Sequence, residues 1–83
     1  MLILYFASLR ERVGTGEETL DVPGDIVTIA DLANWLSTRS EGHREALANM
    51  ASIRVARDQV HVEFDAPVQG ALEIAFFPPV TGG

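Results

Sequence analysis

The sequence contains no cysteine, no lysine and no long apolar run. Without cysteine, a disulfide framework, a zinc site of the usual kind and catalysis by a thiol nucleophile are excluded. No stretch approaches the about 20 continuous apolar residues that a membrane-spanning helix requires. The apolar residues 2–9 lack a preceding basic segment and a small-residue cleavage site, so they do not form a signal peptide. We expect a cytoplasmic protein with no membrane partner.

Basic residues are scarce. Six arginines stand against twelve acidic residues, which gives a net charge of −6 at pH 7. The arginines form no stripe that would neutralise phosphates, so we expect no nucleic-acid partner. A protein with a basic surface is a better candidate, because complementary charge speeds encounter. The alternative is that the acidity serves solubility alone.

The length and the apolar fraction, 83 residues and 47%, suit one small domain with a single core. A chain of this size buries only roughly 60 to 65% of its unfolded surface. We therefore expect a fold with no more than two layers of secondary structure. We place the domain at residues 1–77 and an extended tail at residues 78–83.

Apolar and β-branched runs between turn residues predict five strands. Two precede the main helix and three follow it, so the order of elements is β-β-α-β-β-β. They cover residues 2–7, 17–22, 52–57, 59–64 and 72–77. Thr28 and Asp31 predict the start of the main helix, since the hydroxyl caps free N–H groups. The apolar stripe of this helix has the helical period. Its members are Ile29, Leu32, Ala33 and Leu36, with Trp35 at the edge. Residues 8–13 predict a helical turn, and residues 43–50 a second short helix after an interruption at Gly42.

Alternation along the strands sorts their side chains by face. The inward set is Leu72, Ile74, Phe76, Val60, Val62 and Phe64, and the outward set is Glu73, Ala75, Phe77, His61 and Glu63. The first strand is apolar on both faces, with Ile3 and Tyr5 on one and Leu2, Leu4 and Phe6 on the other. Because one helix layer covers one face, we expect an exposed apolar patch that binds a partner. The alternative is that neighbouring side chains cover it.

The tail combines stiffness at its root with a slender end. Pro78 and Pro79 favour the polyproline II shape, whose rise of about 3.1 Å per residue lets six residues span about 18 Å. The glycines at the end have no side chain, so the backbone can enter a narrow tunnel. The Gly83 carboxylate is the reactive group of the tail, and no acid–base pair accompanies it. We predict that a partner binds Phe77, Pro78, Pro79, Val80, Thr81 and Gly82 on the tail and Leu4, Phe6 and His61 on the sheet.

The order of elements resembles the β-grasp (ubiquitin-like) fold, and the tail FFPPVTGG is similar to that of the molybdopterin synthase small-subunit family. The opening FASLRE at residues 6–11, the VG at residues 13–14 and the F-D-x-P at residues 64–67 extend the likeness over the whole chain. The sequence departs from the family at residues 69–72 and at residues 57–58. The resemblance implies an α+β fold, with a mixed sheet of about five strands packed on one main helix and a short second helix.

The resemblance also implies a sulfur carrier of molybdenum cofactor synthesis. An ATP-dependent activating enzyme adenylates the Gly83 carboxylate, and a sulfur donor protein converts it to a thiocarboxylate. The tail then enters the large subunit of molybdopterin synthase, where the sulfur attacks the cyclic pyranopterin precursor. The chain is no catalyst alone, because the large subunit of this sulfurtransferase supplies the catalytic groups. It binds no cofactor itself, and ATP is used by the activating enzyme.

Two other functions remain open. A carrier for thiazole synthesis or a protein-conjugating modifier also ends in Gly-Gly, although the Phe-Phe-Pro-Pro segment favours the molybdopterin pathway. A non-catalytic β-grasp interaction module would need no free carboxylate, so blocking that group separates the two classes.

Two smaller expectations concern single residue types. His43 and His61 lie on different predicted elements without acidic residues at metal-ligand spacing, so we expect surface histidines and no metal site. The absence of lysine suggests protection of an activated Gly83 from side-chain amines. The plainer explanation is a codon composition that favours arginine.

Overall fold

The computed structural model describes residues 1–79. The predicted roles of Val80, Thr81, Gly82 and Gly83 lie outside the described residues. The elements, in chain order, are β1 (Leu2–Tyr5), α1 (Ala7–Val13), β2 (Glu17–Thr19), α2 (Ile29–Ser37), α3 (Glu41–Leu47), a 3₁₀ turn (Met50–Ser52), β3 (Arg54–Arg57), β4 (Val60–Val62) and β5 (Glu73–Phe77). None of the helices in residues 1–79 has the length and apolarity to cross a membrane.

The five strands form one mixed sheet in the order β2-β1-β5-β3-β4. The central strands β1 and β5 are parallel, and the other neighbours are antiparallel. Inward side chains of β1, β3 and β5 share one core with the buried residues of all three helices. The predicted α+β class and β-grasp arrangement are confirmed. Because β1 and β5 are parallel, Met1 lies at the end of the sheet opposite Pro78.

Helix α2 begins as predicted. The Thr28 hydroxyl accepts the Asp31 N–H at 3.1 Å, and the Asp31 carboxylate accepts the Thr28 N–H at 3.1 Å. The backbone N–H groups of Thr28 and Val27, which both donate to this carboxylate, hold the pKa of Asp31 below its ordinary value. All four residues of the predicted apolar stripe are fully buried, and Trp35 is half-buried at the core edge. The capping box and the helical period therefore specify this helix locally.

Helix α3 differs from the prediction, because Gly42 lies inside the helix rather than interrupting it. The helix begins after Ser40, whose hydroxyl accepts the His43 N–H at 3.1 Å. Gly42 is the point at which α1 approaches α3. A Cβ atom there would collide with the backbone carbonyl oxygen of Arg12. The glycine thus permits helix packing and does not break the helix.

The predicted alternation identifies the two core residues of β5, but it fails at the strand margins. Ile74 and Phe76 are fully buried, but Leu72 is 81% exposed and Val60 64% exposed. The backbone N–H groups of Leu72 and Glu73 both donate to the Asp58 carboxylate at 2.9 Å, so the chain turns there before β5 begins. Val60 is on the edge strand β4, which has a neighbour on one side only. The prediction that Leu72 and Val60 point into the core is wrong.

The root of the tail and the outer sheet face as a candidate functional site

The described part of the tail begins at a fixed point. Phe76 is fully buried, and its ring stacks on Tyr5 with a centroid separation of 6.3 Å. The Phe6 N–H donates to the Phe76 carbonyl at 3.1 Å, which extends the β1–β5 pairing beyond the end of β1. Pro78 and Pro79 follow directly after β5 and are half-buried. The direction in which the chain leaves the sheet is therefore set by the central strands.

The strand register brings three predicted partner-binding residues to one face. Leu4, Ala75, Ala56 and His61 form a row across β1, β5, β3 and β4. Phe77 lies one row further along the same face, because Ala75 and Phe77 are two residues apart on β5. We call this surface, with Phe6, the outer face. Its central residues are two alanines, which leave it flat.

The outer face is less bare than the sequence predicts. Ala75 is only 6% exposed, so its placement on an exposed side is wrong, and Leu2 and Leu4 are half-buried. This face of β1 is therefore only partly exposed. Phe6 is 48% exposed, in extended conformation after β1. On the outer face, the exposed apolar area is therefore concentrated near the root of the tail.

Two residues that carry nitrogen groups are neighbours of Phe77, His61 through its ring and Arg54 through strand pairing. The His61 ring is exposed, and its centroid lies 6.2 Å from that of Phe77. Arg54 pairs with Phe77 across β3 and β5, and its guanidinium donates to the Ile53 carbonyl at 3.2 Å. Sequence reasoning found His61 and missed Arg54, because that pairing depends on the strand register. The two-residue turn at Asp58 and Gln59, both of positive φ, fixes the register between β3 and β4 only.

A buried polar network lies on the inner side of the sheet. The Tyr5 hydroxyl donates to the Glu18 carboxylate at 2.8 Å, and His43 Nε2 lies 2.8 Å from the same oxygen. The Ser40 hydroxyl is 2.7 Å from His43 Nδ1. His43 is 7% exposed, so the expectation of a surface histidine is wrong. The available signal was Tyr5, since an inward tyrosine needs a partner for its hydroxyl.

The network shifts the titration of its members. Burial acts to raise the pKa of Glu18, but the hydrogen bonds from His43 and Tyr5 outweigh it and hold that pKa below the ordinary value of 4.5. Burial, and then the hydrogen bond to Glu18, raise the pKa of Tyr5 far above its ordinary value. Glu18 is therefore ionised and Tyr5 neutral at neutral pH, and both are structural groups.

The described residues provide binding rather than catalytic groups near the tail. Within residues 1–79, no three His, Cys, Asp or Glu side chains are placed to hold a metal ion. The outer face offers aromatic and aliphatic contact area, one imidazole and one guanidinium. Such a surface suits recognition by another protein, in which aromatic and arginine side chains contribute most of the binding energy.

Known proteins share this sequence and this fold. The chain is 38% identical to the molybdopterin synthase sulfur carrier subunit of Escherichia coli K12, covering 98% of this chain and 96% of that protein. It is 34% identical to the protein of the same name from Haemophilus influenzae, with the same coverage of each. The crystal structure of small archaeal modifier protein 1 from Haloferax volcanii is 29% identical, with a TM-score of 0.70 and coverage of 96% and 97%. Residues 3–83 match the profile of the ThiS family, and the chain belongs to that family.

Proposed function

We propose that this chain is the sulfur carrier subunit of a molybdopterin synthase and that it binds the large subunit of that enzyme. The observation that carries the proposal is the 38% identity to the Escherichia coli protein of that name, which extends over nearly all of both chains. The octet FFPPVTGG at residues 76–83 supports it, because it joins the buried end of β5 to a terminus without side chains. Because Phe76 is buried, the tail starts from a fixed position on the sheet.

In this proposal the Gly83 carboxylate carries the sulfur. A carboxylate oxygen attacks the α-phosphorus of ATP in the activating enzyme, pyrophosphate leaves, and an acyl adenylate forms. The terminal sulfur of a persulfide on a donor protein attacks the acyl carbon and AMP leaves. A thiol then reduces the resulting acyl disulfide, which releases the donor and leaves a thiocarboxylate on the chain. In the large subunit this sulfur displaces an oxygen substituent from a carbon of the pyranopterin precursor, which forms a thioester between the two molecules. Water hydrolyses the thioester, so that the sulfur stays on the pterin and the chain leaves as a carboxylate. Two such transfers complete the dithiolene.

The described residues support a complex in which this chain provides binding contacts and the large subunit provides the catalytic groups. Leu4, Phe6 and Phe77 supply apolar contact area, the His61 ring lies beside Phe77, and Arg54 pairs with Phe77 across the strands. The partner supplies the acid, base and cation that act on the pterin, since the tail carries no such side chain. Pro78 and Pro79 lower the entropy lost when the partner holds the tail.

Intact mass spectrometry tests the proposal. The chain is incubated with ATP, an activating enzyme and a sulfur source. We expect its mass to increase by the difference between one sulfur and one oxygen atom, in an ATP-dependent manner. A chain whose terminal carboxyl group is amidated is the control and should keep its mass. No increase in the unblocked chain, or an equal increase in the amidated chain, would contradict the proposal.

A second candidate function is conjugation to other proteins. The likeness to small archaeal modifier protein 1, at 29% identity and a TM-score of 0.70, favours it. A modifier would form an amide with a lysine of its target, and the product mass would be the sum of both proteins less one water. The incubation above distinguishes the two functions when a candidate target protein is added. A thiocarboxylate without an amide adduct supports the carrier.

A further inference from the structure

Three polar side chains are hydrogen-bonded in series, from the loop before α3 into the molecule. Ser40 is exposed directly before α3, and its hydroxyl oxygen lies 2.7 Å from Nδ1 of His43. His43 is buried, and its Nε2 lies 2.8 Å from a carboxylate oxygen of Glu18. The series therefore consists of a hydroxyl, an imidazole and a carboxylate. The proposed sulfur chemistry makes no use of it.

The hydrogen-bond partners assign the two ring nitrogens of His43. The Glu18 carboxylate is ionised and already accepts the Tyr5 hydroxyl, so it acts only as an acceptor towards Nε2. In the neutral ring the hydrogen is therefore on Nε2, and Nδ1 has a lone pair that accepts the Ser40 hydroxyl. The Ser40 oxygen also accepts the His43 backbone N–H at 3.1 Å. Since a hydroxyl oxygen has two lone pairs, one remains free on Ser40.

The imidazole ring is held in this orientation by its surroundings. Both of its nitrogens have a hydrogen-bond partner, and it packs edge-on against Tyr5 with the ring centroids 5.7 Å apart. A base that is hydrogen-bonded to a hydroxyl and oriented by a third group is the arrangement that activates a hydroxyl nucleophile. In this arrangement His43 has the role of the base, and Glu18 is a positioning residue.

The hydroxyl groups closest to Ser40 in the sequence lack such a base. Ser37 donates its hydroxyl hydrogen to the Ala33 carbonyl at 2.8 Å. Thr38 donates its own to the Trp35 carbonyl at 2.6 Å. A backbone carbonyl oxygen orients a hydroxyl group but does not take its proton. Ser40 differs from both residues because its hydrogen is directed at an imidazole nitrogen.

Ser40 lines an open depression that has room for a small molecule. The volume of the depression is about 480 Å³, and its lining consists of Ser37, Thr38, Ser40, Glu41 and Arg44. The Arg44 guanidinium and the Glu41 carboxylate form an exposed ion pair at 3.4 Å, so the two charges of the lining offset each other. The depression therefore suits a neutral substrate better than an anion or a cation.

We propose that Ser40 is a nucleophile that accepts the acyl group of a small neutral ester, with His43 as its base. The Ser40 oxygen attacks the carbonyl carbon, its proton moves to Nδ1 of His43, and the alcohol of the ester leaves with that proton. The product is an ester on Ser40, which water hydrolyses to a carboxylic acid and the free hydroxyl. The reaction needs no oxidant and no other reactant. It does not involve Gly83, so failure of either proposal leaves the other intact.

Incubation of the protein with p-nitrophenyl acetate tests this inference, and peptide mapping by mass spectrometry after acid quenching locates the acetyl groups. The chain has neither cysteine nor lysine, so the most reactive side-chain nucleophiles do not compete. Ser52 is the internal reference, because it is exposed and its hydroxyl accepts a hydrogen bond from the Asn49 amide. We expect Ser40 to be acetylated about 100-fold faster than Ser52, the effect of a general base.

Three variants test the roles of the side chains. His43→Gln should slow the acetylation of Ser40 about 100-fold, because the base is lost. Ser40→Asn keeps a side-chain oxygen that caps α3 but has no hydroxyl, so the fast release of p-nitrophenol should disappear. Ser52→Ala is the control and should preserve both the release and the acetylation of Ser40. The melting temperature of each variant shows whether it is folded.

The positioning role of Glu18 is tested by ¹H–¹⁵N correlation spectra of the imidazole rings in ¹⁵N-labelled protein. We expect neutral His43 to carry its hydrogen on Nε2, and Glu18→Gln should weaken this preference and slow the acetylation of Ser40. The inference is overturned if Ser40 is acetylated no faster than Ser52, or if His43→Gln leaves the rate unchanged. It is also overturned if neutral His43 carries its hydrogen on Nδ1.

Discussion

Glu18 and His43 are 25 residues apart in the chain, yet their side chains form a part-buried hydrogen bond of 2.8 Å beside the core. The same carboxylate oxygen accepts the Tyr5 hydroxyl, so one acidic side chain joins β2 to β1 and α3. Tyr5 stacks on Phe76, the buried residue before the tail root. The network therefore stabilises the core beneath the point where the tail leaves the sheet.

Replacing Glu18 should destabilise the protein in a pH-dependent way. We expect Glu18→Gln to lower the free energy of unfolding at neutral pH by about 1–2 kcal/mol, since hydrogen bonds to a charged acceptor are lost. The folded-state pKa of Glu18 lies below its ordinary value of 4.5. Its stabilising contribution is therefore complete above that value and is lost as the pH falls through the folded-state pKa. Urea unfolding of both proteins at about pH 7 and about pH 3 measures the difference.

A neighbouring variant serves as the control. Glu17 lies on the same strand with an exposed side chain, and Glu17→Gln should change the unfolding free energy by less than about 0.5 kcal/mol. If Glu18→Gln is as stable as the unmodified protein at neutral pH, or if its deficit grows as the pH falls, the structural role of the network is refuted.

The approach of α1 to α3 should depend on the glycine at position 42. In Gly42→Ala the new Cβ collides with the Arg12 carbonyl, and α3 must shift, which we expect to cost about 1–3 kcal/mol. Gly24→Ala is the matched control, because its Cβ would meet nothing within 4 Å. That variant should keep its stability or gain up to about 1 kcal/mol, because alanine lowers the conformational entropy of the unfolded chain. Equal melting temperatures for the two variants would contradict the close packing of α1 against α3 at Gly42.

Ala7 has a φ of 52°, a left-handed conformation that is unfavourable for residues with a side chain. We expect Ala7→Gly to be neutral or stabilising by up to about 1 kcal/mol, because relief of strain offsets the flexibility of glycine. The control Ala30→Gly, inside α2, should destabilise by about 1 kcal/mol. Equal losses in the two variants would show that Ala7 is not strained.

The outer face should contribute to binding of the large subunit. We expect Phe77→Ser to weaken that binding about 10- to 30-fold, the effect of losing an aromatic side chain at the centre of an interface. Leu72→Ser removes a more exposed apolar side chain at the opposite end of the sheet and should leave the affinity unchanged. Isothermal titration of each variant, with its melting temperature as a check on folding, makes the comparison. An equal loss of affinity in both variants would show that the outer face is not part of the interface.

The sequence predicted what depends on local interactions. Thr28 and Asp31 cap α2 through bonds that span three residues, and the helical period places Leu32 and Leu36 on one side. Alternation likewise placed Ile74 and Phe76 correctly, because both lie inside a strand that is paired on two sides. Short-range geometry and a single buried face determine these features.

The errors concern features set by distant parts of the chain. His43 is buried because Glu18 and Ser40 supply its hydrogen-bond partners, and Glu18 is far from it in sequence. Arg54 faces Phe77 because of the register of β3 and β5, which no local pattern in the sequence encodes. Gly42 looks like a helix breaker until the position of α1 is known.

The central claim, that the Gly83 carboxyl group carries the sulfur, is tested most directly by a single-turnover assay. The chain, prepared with a terminal thiocarboxylate, is mixed with the large subunit and the pyranopterin precursor, without ATP or a sulfur donor. We predict that each thiocarboxylate consumed delivers one sulfur atom to the pterin and leaves the chain as a carboxylate. A chain without Gly82 and Gly83 should deliver none. Retention of the sulfur by the thiocarboxylated chain, or sulfuration supported at the same rate by the shortened chain, would contradict the claim.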